Sequence, residues 1–204
     1  MTGDELLADA LRYALQTVPK VTAEQLTAPT PCRNWDLRQL LLHACDSVAA
    51  LTEGLCAGQV RLDPPLPPRP ADPVGAFTAT ARRLLVRCET APGSADCASR
   101  GAADGGAIDG TVSIGGCPMS VHLLSCTGAV EIAVHAWDVG QSCGGRWPIP
   151  EPLAGLLLPA AVVLVCDDER PGLFAPPVWV PAAASAGDRL AAFLGRAPRA
   201  RPAA

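Results

Sequence analysis

The stretch Val130-Glu131-Ile132-Ala133-Val134-His135-Ala136-Trp137-Asp138-Val139-Gly140 decides how the rest of this 204-residue chain is read. Glu131 and His135 are four residues apart, a spacing that on an α-helix stacks two side chains on one face, one turn apart. A carboxylate and an imidazole so placed can hold one metal ion from a single rigid element, a device used in helix bundles. The same spacing also serves an ordinary solvated pair. That pair is the commoner use of the spacing, and the setting only strengthens the case for a metal: the neighbours are Val130, Ile132, Ala133, Val134, Ala136 and Trp137, and polar groups in such company need partners when buried. A third ligand has to come from elsewhere in the chain.

Working outward, Pro118 is the expected start of the helix carrying this stretch, and Gly140 with Gly144–Gly145 breaks it. His122 precedes Glu131 by nine residues, which is about 180° of helical rotation. It points away from the Glu131–His135 face and is not taken as a ligand. Upstream, Thr2-Gly3-Asp4-Glu5 is a capping box. Leu6, Leu7, Ala10, Leu11, Ala14, Leu15 and Val18 then recur at helical spacing until Pro19. Asn34 is the expected N-cap of the next helix, with Asp36 in its first turn. That helix runs through Leu37, Leu40, Leu41, Ala44, Val48 and Leu51 to Gly58, and His43 lies in its middle beside Gln39, Asp46 and Ser47. Taken alone, His43 reads as a satisfied core histidine.

Residues 59–73 hold six prolines, the composition of a surface crossover between helices not joined by a tight turn. Asp72-Pro73 opens a third helix with Val74, Phe77, Ala81, Leu84, Leu85 and Cys88 inward. Residues 92–116 have no helical period, with an extended piece at Val112–Ile114. Helices are therefore expected near 4–17, 35–56, 73–90 and 118–140, in one bundle. Beyond them, Leu153 to Cys166 reads as a fifth helix, buried on most sides and broken or kinked by Pro159. It could cover the bundle or form the face of a homodimer. Val178-Trp179-Val180 is strand-like, Gly187 to Leu194 forms a last short helix, and Arg196 to Ala204 is a frayed tail. The expected organisation is a bundle over 1–145 with a C-terminal extension over 146–204 packed on it.

Hydrophobic residues make up 49% of the chain but aromatics only 4%, so the core is built from Ala, Leu and Val, which suits helices. The net charge of -4, without a basic tract, argues against nucleic acid and anionic membranes as partners. The nine cysteines are odd in number, no Cys-x-x-Cys occurs, and the N-terminus lacks a charged-then-apolar leader. The expectation is reduced thiols in a cytoplasmic protein, with neither a zinc knuckle nor an iron–sulfur cluster. The longest apolar run, Leu153 to Cys166, is too short to span a bilayer.

Four pieces together resemble the DinB-like metal-binding helix-bundle family, in the branch that includes mycothiol-dependent maleylpyruvate isomerases. They are Thr30-Pro31-Cys32-Arg33-Asn34-Trp35-Asp36-Leu37-Arg38, Leu40-Leu41-Leu42-His43, Glu131 through Asp138, and Asp188-Arg189-Leu190-Ala191-Ala192-Phe193-Leu194-Gly195-Arg196. The resemblance implies an all-α fold, a four-helix bundle with one long crossover, followed here by the short helical and irregular extension. It also implies a divalent metal held by His43, Glu131 and His135, which supplies the missing third ligand. Zn²⁺ suits this set best, and Ni²⁺, Mn²⁺ and Fe²⁺ fit it too. Asp46 and Asp138 are candidates for orienting the two imidazoles.

The function so implied is a metal-dependent enzyme of the thiol-dependent transferase or isomerase type, with a small electrophilic substrate and a low-molecular-weight thiol such as mycothiol. Two further readings stand beside it. One is a bundle recruited to a specialised biosynthetic pathway, cyclising or rearranging an apolar substrate with the metal optional. The other is a metal-binding protein without turnover. Arg38, Arg100 and Arg146 are the cations considered for a diacid substrate, and no general base is assigned.

Overall fold

The computed structural model describes the chain except for residues 33, 63–67, 91–109, 146, 167, 169, 171–173 and 199–204. Helix α1 spans Gly3–Thr17, α2 Leu37–Ala57, α3 Pro73–Thr90 and α4 Val121–Ser142; α5, Glu151–Leu164, and α6, Ala186–Phe193, follow. Among the described residues three short strands, β1 (Gln59–Val60), β2 (Thr111–Ile114) and β3 (Cys117–Ser120), form one sheet in the order β1-β2-β3. This is an all-α fold of the DinB-like kind that the resemblance implies, with the sheet as a small appendage.

Local chemistry fixes the helix ends. Thr2 caps α1 and exchanges hydrogen bonds with Glu5, as the capping box predicts. The α2 cap differs from expectation: it is Asp36, paired reciprocally with Gln39. Asn34, also a good cap residue, instead turns the chain at φ 71°, a left-handed conformation that Asn tolerates better than most residues. Gly58 ends α2 in the left-handed region, as its position predicts. Pro118 does not open α4. It lies in β3, antiparallel to β2 with Ser113 opposite, and the cap of α4 is Ser120, whose hydroxyl accepts from the Leu123 N–H.

In the bundle α1 and α2 each pack against both α3 and α4. The links from α1 to α2 and from α3 to α4 therefore join diagonal helices. The proline-rich segment after α2 links it to α3, which packs against it, without a tight turn, and its first residues, β1, pair in parallel with β2. The core is aliphatic: Leu7, Leu11, Leu37, Leu40, Leu41, Phe77, Leu84 and Ile132 are almost wholly buried. Truncating Phe77 to Ala should cost about 3–5 kcal/mol. One described helix, α2, is long and apolar enough to cross a membrane by length and composition; in this fold its apolar face is taken up against α3 and α4.

The C-terminal extension lies on the bundle through α5, which packs on α4 and α1 while α6 packs on α5. Helix α5 is more exposed than its composition predicts. Leu153, Ala154, Leu157 and Ala161 face inward, whereas Leu156, Val162 and Val163 face solvent. Val178-Trp179-Val180 forms no strand, although the Val178 N–H donates to the Ala192 carbonyl.

Candidate metal centre

Helix α4 is the central element: from Gly128 to Gly140 every residue except the half-buried Glu131 is buried. A helix enclosed on all sides is usually apolar all round. This one carries Glu131, His135 and Asp138 in that enclosed stretch, and all three have partners. His43 reaches across from α2, its Nε2–H donating to Glu131 Oε1 at 2.7 Å. The same oxygen lies 3.2 Å from His135 Nε2 and accepts from the Ser47 hydroxyl at 3.0 Å. The donor atoms of His43, Glu131 and His135 all fall within 4.8 Å of one another. The two imidazole rings stand edge to face, 5.0 Å between centroids.

The other nitrogen of the His135 ring is committed elsewhere. Nδ1 lies 3.1 Å from Asp138 Oδ2, one turn further along α4. Asp138 is fully buried and is itself surrounded by donors. Its Oδ2 accepts from Arg196 Nη2 at 2.9 Å and from the Cys32 thiol at 3.3 Å, and its Oδ1 accepts from Arg196 Nε at 3.3 Å. Arg196 Nη2 also donates to Cys32 Sγ at 3.4 Å. The Cys32 sulfur is 3.9 Å from His135 Nδ1, so Cys32, His135 and Asp138 form a second close group sharing one imidazole with the first.

Cys32 and Trp35 arrive on the loop before α2. The Thr30 hydroxyl holds that loop by donating to the carbonyls of Cys32 and Trp35, and the left-handed Asn34 turns it. The Trp35 ring consequently lies over the site, 4.8 Å from the His43 ring and 6.5 Å from that of His135. His43 and Glu131 keep side-chain exposures of 38% and 33%, against 10% for His135. The centre is thus closed on the Asp138 side and open on the His43 side.

Electrostatics follow from this arrangement. Burial pushes the Glu131 carboxyl up, but hydrogen bonds from His135 and His43 outweigh it and hold the group well below the usual range. Burial pulls His135 down, and hydrogen bonding to Asp138, Cys32 and Glu131 reverses this, raising it well above its ordinary value. Asp138, pushed up by burial, is lowered on balance by His135 and Arg196. Without an ion the centre is a carboxylate–imidazolium–carboxylate chain. With one, the group fits. Nδ1–H of His135 would stay on Asp138 and leave Nε2 free to offer a lone pair beside His43 and Glu131, as in histidine ligands backed by a carboxylate.

The remaining sequence candidates fall elsewhere. Asp46, expected to orient an imidazole, is exposed and pairs with Arg69 Nη1 at 3.1 Å. It lies three residues after His43, and its side chain turns to the surface. His122 is exposed, as its angular position predicts; its Nδ1 accepts from the Gly3 N–H at 3.1 Å. Arg38 is engaged with the carbonyls of Pro70 and Ala71, and Arg100 and Arg146 lie outside the described residues. Arg196, assigned to a frayed tail, is instead buried against the centre. Its one sequence signal was its place at the end of the Asp188–Arg196 motif. The eight described cysteines are free thiols.

A model of the mycothiol maleylpyruvate isomerase N-terminal domain matches residues 7–140. Two proteins of Mycobacterium tuberculosis, Rv0738 and MT0763, both described as uncharacterized, are 30% identical to the chain over 181 residues, which covers 88% of this chain and 89% of each of theirs. No solved structure matches it significantly.

Proposed function

The chain belongs to the mycothiol maleylpyruvate isomerase N-terminal domain family, and from that premise we propose a divalent-metal-dependent enzyme of the thiol transferase or isomerase type. It would act on a small electrophilic substrate with a low-molecular-weight thiol such as mycothiol. The observation that carries this reading is the convergence of His43, Glu131 and His135 at one half-open point of the bundle. These three would hold the ion; two imidazoles and one carboxylate suit Zn²⁺, with Ni²⁺, Mn²⁺ or Fe²⁺ as other occupants. When bound, such an ion supplies Lewis acidity to a substrate carbonyl or a lowered pKa to a coordinated thiol.

The chain's own residues supply the rest. Asp138 keeps the Nδ1 proton of His135, which leaves Nε2 as the ligating atom. Ser47 steadies Glu131 by donating to its Oε1. Trp35 covers one side of the rings, excludes water there and offers a flat apolar wall to a substrate. The half-exposed edges of His43 and Glu131 give a small molecule its approach. Maleylpyruvate itself is not proposed: a diacid needs cationic partners, and Arg38 is engaged with backbone carbonyls. A reducing cytoplasm suits the free thiols.

Metal analysis and a thiol assay test the reading together. The protein should carry about one equivalent of divalent ion per chain. Loaded protein should consume a low-molecular-weight thiol with an electrophilic substrate faster than chelator-treated protein. A chain that stays empty after incubation with Zn²⁺, Ni²⁺ and Mn²⁺ refutes the metal centre. A loaded chain inert toward every thiol and electrophile would be a metal-binding protein without turnover.

A further inference from the structure

We infer that Arg196 is a positioning residue of the metal centre: its guanidinium clamps the Asp138 carboxylate, which in turn fixes the His135 ring. The consequence for metal rests on the reading above; the clamp itself does not. Arg196 follows α6, outside the matched residues 7–140, and meets Asp138 across 58 residues of sequence. It takes both carboxylate oxygens, Oδ1 through Nε at 3.3 Å and Oδ2 through Nη2 at 2.9 Å. A planar guanidinium on both oxygens sets the plane of the carboxylate as well as its place. Oδ2 is also the oxygen that faces His135 Nδ1 at 3.1 Å, so the plane of Asp138 decides the rotation of the imidazole. Arg196 is held in turn, because Nη1 donates to the Leu194 carbonyl at 3.0 Å and Nη2 to Cys32 Sγ. The guanidinium, Asp138 and His135 are all buried, which leaves solvent little part in the geometry. A segment of the C-terminal extension thus acts on a centre whose ligands all belong to the bundle.

The experiment uses the whole chain with Arg196→Lys, which keeps the charge and loses the fork, and Arg196→Gln, which keeps one planar donor, in case the first does not fold. Zinc affinity is measured by competition with a chromogenic chelator, and the unfolding midpoint is recorded beside it. Asp138→Ala should weaken zinc binding by about tenfold to a hundredfold and the Arg196 variants by on the order of tenfold. A double variant should be no weaker than Asp138→Ala alone, since Arg196 acts through that carboxylate. The second readout needs no metal: the Nδ1–H of His135, observed by NMR in the metal-free protein, should exchange slowly in the wild type and faster in the Arg196 variants. Wild-type affinity and slow exchange in an Arg196 variant would reduce the residue to a structural tie and overturn the inference, as would losses that multiply in the double variant. If the wild type takes up no ion, the metal reading fails by itself and the exchange measurement alone decides the clamp.

Discussion

The two ends of α4 make a controlled comparison, because each presents a histidine with a potential partner one turn away. At the N-terminal end His122 is exposed, its Nδ1 accepting from the Gly3 N–H and its Nε2 3.6 Å from Cys126 Sγ. Near the C-terminal end His135 is buried between two carboxylates, Glu131 on Nε2 and Asp138 on Nδ1. One imidazole ties a helix start to its neighbour; the other is aimed. The difference lies in what the two ring nitrogens are offered. A carboxylate behind the ring and donor atoms in front of it make a candidate ligand, and a backbone N–H makes a tie between helices.

The largest effect expected from breaking this comparison is on metal content. His43→Ala and His135→Ala should each lose most of the bound ion, measured as equivalents per chain after gel filtration, whereas His122→Ala should retain it. Loss of metal in His122→Ala would mean that the two ends had been assigned the wrong way round. Next in size is the stability of the closed side. Asp138→Ala leaves Arg196 buried without its counter-ion and should cost about 3–5 kcal/mol. Asp46→Ala, which breaks an exposed pair with Arg69, should cost about 0–1 kcal/mol. Chemical denaturation of both variants gives the ratio directly.

A smaller, pH-dependent effect sharpens the contrast further. In the metal-free protein His135 is raised well above 6.5, so the folded state holds a proton that the unfolded state releases. Its contribution to stability is full below the unfolded value and fades as pH rises from there through the higher folded one. Glu131 and Asp138, both lowered, act on the other flank, where their contribution is lost as pH falls through their folded values. Denaturation midpoints taken at a series of pH values should show the alkaline decline in wild type and His122→Ala but not in His135→Ala. With metal the dependence reverses, since the ion competes with the Nε2 proton and uptake strengthens as pH rises. His122→Ala itself should cost only about 1 kcal/mol, for the lost acceptor of the Gly3 N–H.

What could be read in advance follows from how local each signal is. The bundle helices show in the sequence because burial repeats every turn, and Glu131 and His135 stand out because that rhythm surrounds them with Val, Ala and Ile. His43 alone looks like any core histidine, and only the resemblance joined it to α4. The errors have physical causes too. Asn34 and Asp36 are both good caps, and the choice between them was made by a left-handed turn at Asn34. Pro118 suits a first helical turn and equally an edge strand, and its pairing with β2 decided the matter. Cys32 and Arg196 meet Asp138 across 106 and 58 residues, a distance over which no periodicity carries information. Asp46 was placed by counting along α2, and that count does not fix where a side chain turns at the surface.

The separation of Arg196 from Asp138 also has a meaning in time. The ribosome adds about 5–20 residues per second, so the 58 residues between them take roughly 3–12 s to synthesise. His43, Glu131 and His135 are all polymerised before that interval begins. For those seconds the nascent chain possesses the whole proposed donor set while Asp138 still lacks the cation that steadies it, so the order of translation places the candidate ligands ahead of the residue proposed to align them.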